Sequence, residues 1–166
     1  MNLFEKKTYE STIELKESLG KKSFLLGEDI AESNPFIKIS HSLIEVGFIY
    51  DDLGLEPQMY ISTNSNKVFL GINSLSVCID SANLSVSFEE NLPSLLYEIM
   101  IDPNAKYIVF ICELDILVYK SSGSLLWHIG FRNIVKDYYL KRNDSIVIEC
   151  EDGDITIFSL ESGKIK

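Results

Sequence analysis

Three stretches of this chain can be laid over one another at a period of about forty residues, which limits the fold more than any single motif does. Val68 to Leu84 (VFLGINSLSVCIDSANL) aligns without a gap on Val109 to Leu125 (VFICELDILVYKSSGSL). A third copy starts at Val147 (VIECEDGDITIFSLESGKI), with one residue added in its tight turn. A fixed period of this length marks stacked β-units, each of which needs neighbours to bury its faces. The alignment puts Val68, Val109 and Val147 at equivalent strand positions and sets Val86 where Trp127 stands in the middle copy.

Each copy resolves into a four-strand meander. The middle one reads as Ser94 to Met100, Tyr107 to Cys112, Asp115 to Lys120 and Leu125 to Ile129, with turns on Asp102-Pro103-Asn104 and Ser122-Gly123. These are short runs rich in Val, Ile, Phe and Tyr between turn residues, the pattern of antiparallel hairpins. The first copy supplies Gln58 to Ser62, Lys67 to Ile72, Leu75 to Ile79 and Leu84 to Phe88; the third supplies Ile134 to Leu140, Ser145 to Cys150 and Asp154 to Phe158. Its fourth strand begins only near Lys166.

Gly123 followed by Leu125, Leu126 and Trp127, echoed by Ser162-Gly163-Lys164-Ile165, resembles the quinoprotein-type β-propeller blade, in which a glycine turn leads into a Trp-bearing strand. The resemblance covers about Glu56 to Lys166 and implies an all-β, antiparallel fold of three tandem propeller-blade-like meanders. Closed propellers have about four to eight blades, so three predict an open array without the central site a quinone cofactor needs. No cofactor is expected.

An open array must protect its end strands. Phe36 to Ser40 and Leu43 to Tyr50 are strand-like and suited either to capping one end or to completing the third unit. Glu10 to Leu19 fits a short helix ending at Gly20. The chain thus divides into an N-terminal extension (1–24), capping strands (25–55) and three repeats (56–166) of one domain, with the extension expected to be the least tied down. No apolar run approaches the roughly 18 residues of a membrane span, which with the absence of a leader-like apolar segment after Met1 predicts a cytosolic protein; a monomer is expected. Cys78, Cys112 and Cys150 occupy strand positions and read as small buried hydrophobes, not as disulfides or metal ligands.

The formal charge is −10, and it is uneven along the chain. Residues 25–105 hold twelve acids against Lys38 and Lys67 alone, whereas the flanking segments are near neutral. Such a surface repels nucleic acid and anionic membranes and attracts basic proteins. Catalytic chemistry finds little support. His41 sits in a turn and His128 follows Trp127 in a strand, without the spacing of a metal site or a nucleophile pair. Asp51-Asp52 and Glu89-Glu90 are adjacent, so in strands they point to opposite faces. Glu149 and Glu151 are expected on one strand face, and Tyr138 and Tyr139 on opposite faces, leaving one ring exposed for binding.

An acidic β-scaffold of this size is similar in general character to the small immunity proteins of bacterial contact-dependent-inhibition and polymorphic-toxin systems. That resemblance implies a non-enzymatic protein that neutralises a cognate nuclease-type toxin by occluding its basic active site. Candidate partner-binding residues are Asp51, Asp52, Glu56, Glu89, Glu90 and Glu98, with Tyr138, Tyr139, Glu149 and Glu151 as a second group. The alternative is a propeller-like interaction module with no toxin partner.

Overall fold

In the computed structural model, which describes residues 4–27, 35–62, 64–142 and 144–166, the chain folds into four sheets. The first is built from β1 (Glu5–Tyr9), β2 (Ser23–Leu26), β3 (Phe36–His41) and β4 (Ile44–Ile49) in the order β1-β3-β4-β2. The repeats follow as β5 (Gln58–Ser62), β6 (Lys67–Ile72), β7 (Leu75–Asp80) and β8 (Val86–Asn91); then β9 (Leu96–Ile101), β10 (Tyr107–Cys112), β11 (Asp115–Lys120) and β12 (Leu125–Gly130); then β13 (Val135–Lys141), β14 (Ser145–Cys150) and β15 (Ile155–Ser159). Each repeat is an antiparallel meander in sequence order, as the sequence predicts. In the third, Ile165 bridges to Phe158, the beginning of a fourth pairing.

The first sheet is not another copy of the repeat. β2 runs parallel to β4, and β1 pairs antiparallel with β3 at the other edge. A helix, α1 (Thr12–Ser18), connects β1 to β2 across the outer face. Ser11 caps it, its hydroxyl accepting from the Glu14 amide at 3.2 Å, and Leu15 inserts fully buried among Phe36, Ile49, Tyr9 and Leu25. The expectation of a loosely attached N-terminal extension is therefore corrected: residues 5–26 form two strands and the cover of the first sheet. Residues 28–34 of the expected capping segment lie outside the described residues. β3 and β4 cap the first repeat and do not complete the third.

Three core clusters glue the sheets in chain order. Ile39, Val46 and Phe48 of the first sheet pack on Val68, Leu70 and Ile79 of the second. The opposite face of the second, with Phe69 and Cys78, packs on Ile108, Phe110 and Tyr119 of the third. The other face of the third, with Val109 and Val118, packs on Ile146, Ile148 and Phe158 of the fourth. No core cluster among the described residues joins the fourth sheet to the first, so the array is open.

This stacking corrects the repeat register. Val68 pairs with Ile61 and Ile79, and its structural counterpart, forty residues on, is Ile108, which pairs with Ile101 and Tyr119. Val68 and Ile108 both face the preceding sheet, whereas Val109 and Val147 face the following side. The ungapped alignment of Val68 on Val109 is thus one residue out of step, and in a strand a one-residue slip exchanges faces. Beyond an irregularity after Cys78 and after Val118, the counterpart of Trp127 is Phe88, not Val86. Both are aromatic rings directed at the next sheet: Phe88 stacks on Tyr119 at 5.0 Å, and Trp127 lies 6.2 Å from Phe158.

Candidate functional site

Antiparallel meanders send strand ends alternately to two rims. The starts of β5, β7, β9, β11, β13 and β15 and the ends of β6, β8, β10, β12 and β14 share one of them. Carboxylates from every repeat gather there: Glu56, Glu89 and Glu90 from the first; Glu98, Glu113 and Asp115 from the second; Asp137, Glu149, Glu151, Asp152 and Asp154 from the third. Asp51 and Asp52 join from the first sheet, where the Asn73 side-chain amide donates to the Asp51 carbonyl at 2.9 Å. Among the described residues of the repeats, the cations on this rim are Arg132 and Lys136. The opposite rim carries Lys67, Lys106, Lys120, Lys141 and Arg142, with Lys164 and Lys166, against Asp80, Asp102, Asp144 and Glu161. The described part of the three repeats is electrically two-ended.

The eight acidic candidates named from the sequence all fall on the acidic rim, including Glu149 and Glu151, which lie outside the acid-rich stretch of sequence. Their partners differ. Glu56 pairs with Lys6, Glu90 accepts from the Tyr119 hydroxyl at 3.1 Å, and Glu149 accepts from Lys136 at 2.8 Å. Glu149 and Glu151 do not share a strand face, because β14 ends at Cys150 and Glu151 enters the turn, its amide donating to the Ile134 carbonyl. Glu98 stands beside Tyr138, whose phenol is pushed up to about 12 by burial and by that carboxylate. Tyr138 faces the core while Tyr139, 53% exposed, faces outward beside Val147 in mid-sheet, away from the rim.

Two further features escape sequence reading. Asp115 is buried and accepts from the Ser94 hydroxyl at 2.6 Å, and it is held to His128 Nε2 at 2.7 Å. Serine and histidine both address the carboxylate, so this is not a serine–histidine nucleophile pair. It pins the β10–β11 turn to the link between the second and third sheets, giving His128 a structural place. No spacing rule signals it, because the three residues come from different elements. The second feature is a cleft of about 410 Å³ between the first and second sheets, with Asp51 and Glu89 at its margin. Tyr50 in its wall is pushed up to about 12, first by burial and then by the Glu56 and Asp52 carboxylates.

Among the described residues no helix is long and apolar enough to cross a membrane. No protein-family model matches the sequence, and no curated protein matches it. Among solved structures the chain is similar to the computationally designed Ika4 protein, with a TM-score of 0.51 and 14% identity over 68% of this chain and 71% of that one. It is also similar to the β-propeller domain of Myceliophteria thermophila Cps50 (Swd1), with a TM-score of 0.51 and 9% identity over 68% of this chain and 38% of that one. The chain therefore spans well under half the length of the second. At these identities the likeness is one of fold, and the chain is an all-β, propeller-like array of blade-type sheets.

Proposed function

We propose that this protein binds a basic protein partner through its acidic rim and that it is an immunity protein, occluding the active-site cleft of a nuclease-type toxin. The observation that supports the reading is the convergence of carboxylates from all three repeats on one rim. Strands in a sheet lie about 4.8 Å apart, so such a rim presents closely spaced negative charge as a nucleic-acid backbone does. A cleft built to hold phosphodiesters would accept it in place of substrate, and the shared field would accelerate encounter. Tight binding would still depend on a few buried anchors.

The test is co-expression and mixing with the product of the neighbouring upstream reading frame. The expected result is stoichiometric suppression of a nuclease activity, with an association rate that falls steeply as salt rises. A tight complex with a partner that has no toxic or nuclease activity would leave a propeller-like interaction module in its place. No rim-dependent association with a basic protein would overturn both readings.

A further inference from the structure

The junctions between successive sheets share a plan: the outer edge of one sheet, or the link that follows it, meets the turn between the second and third strands of the next. Between the second and third sheets, Ser94, Asp115 and His128 close that space with hydrogen bonds. Between the third and fourth a cleft of about 540 Å³ remains, and the chain places its own Arg132 there with Asp152 and Asp154. Between the first and second, the corresponding cleft has the carboxylates Asp51 and Glu89 at its margin, both exposed and without an ion-pair partner among the described residues. No lysine or arginine lines it among the described residues. Asn73 in the same lining donates through its Nδ2, and its Oδ1 is shut from solvent with no hydrogen-bond partner among the described residues.

We propose that this cleft receives an arginine side chain of the basic partner, its stem against Phe24, Leu26 and Leu75 and its guanidinium between Asp51 and Glu89. The inference rests on the reading of the acidic rim as the partner-binding surface. A volume of about 410 Å³ admits one long side chain and not a folded element. Arginine fits better than lysine because a planar fork of donors can engage carboxylates on two sides, and because its weaker hydration suits an apolar wall.

The experiment is a titration of the isotope-labelled full chain with Nα-acetyl-arginine amide, followed by amide NMR shifts, beside the matching lysine and citrulline amides. Saturable shifts at Gly27, Asp51, Asn73 and Glu89 are expected with the arginine compound, roughly fivefold weaker with lysine and absent with neutral citrulline. The double variant Asp51→Asn, Glu89→Gln should weaken arginine-amide binding about tenfold with the rest of the spectrum unchanged. Shifts spread evenly along the rim, an equal response to citrulline, or no saturable shift at these amides would overturn the proposal. If arginine amide enters the cleft and yet no basic protein associates through the rim, the wider reading fails and the cleft's preference stands.

Discussion

Trp127 ties the second repeat to the third. Its indole Nε1 donates to the Leu160 carbonyl at 2.8 Å, and its ring lies against Phe158 and Gly163. A Cβ at Gly163 would come within 2.8 Å of that ring, at a φ of +67 that side chains rarely adopt. Trp127→Ala should therefore cost about 3 kcal/mol in urea unfolding, and Gly163→Ala should cost roughly 1 kcal/mol or more by the same measurement. Cysteine sets a pH dependence. Burial pushes the Cys112 thiol up to about 12 and Cys78 to about 11, from an ordinary value of 9.0. Above that ordinary value the unfolded chain releases protons that the native state keeps, so this stability is complete below it and is lost as pH rises towards the folded values. The urea midpoint should fall between about pH 8 and about pH 10.5, and Cys112→Ala should shrink the fall. An unchanged drop in that variant would assign the effect to Cys78 or to the buried tyrosines.

At the scale of elements, the two ends of the array are treated differently. α1 covers the outer face of the first sheet, with Leu15 as its buried contact. Leu15→Ala should destabilise by about 2–4 kcal/mol and expose the face of Phe36 and Ile49, so gel filtration should show concentration-dependent self-association absent from the wild type. The Asp115 pin offers a second element-scale test. Asp115→Ala leaves Ser94 and His128 without their acceptor and should cost about 2–3 kcal/mol. Hydrogen exchange should then speed up first at Leu114 and in the link before β9, because the Leu114 amide donates to Ser94 at 3.0 Å.

Across the whole molecule, the charge pattern is organised by strand direction. Reversing Asp51, Glu89 and Glu151 to Lys should slow association with a basic partner by roughly tenfold at low salt, and circular dichroism should be unchanged, since exposed charges contribute little to stability. Reversing Lys120, Lys141 and Lys164 on the other rim should leave the on-rate within about twofold. Equal effects from both sets would mean that net charge, not the rim, governs encounter.

Much of this protein is legible in one dimension. The strands from Gln58 to Ser159 were set by alternating apolar runs and by Gly and Asx turns, because local sterics and period-two burial are local properties. The helix Thr12–Ser18 lies inside the stretch Glu10 to Leu19 that reads as helical ahead of Gly20, with Ser11 as its cap. Where sequence similarity misleads is the face: Val68 and Val109 look alike, yet they point to opposite sides, since packing between sheets and not residue identity decides register. The crossing of β1 and β2 around β3 and β4 was also hidden, because parallel pairing over a helix leaves no turn signature. Net acidity was determined by the sequence alone. Its location was decided only by the tertiary structure, in which alternating strand directions bring Asp51, Glu98 and Glu151, about fifty residues apart in the chain, to one rim.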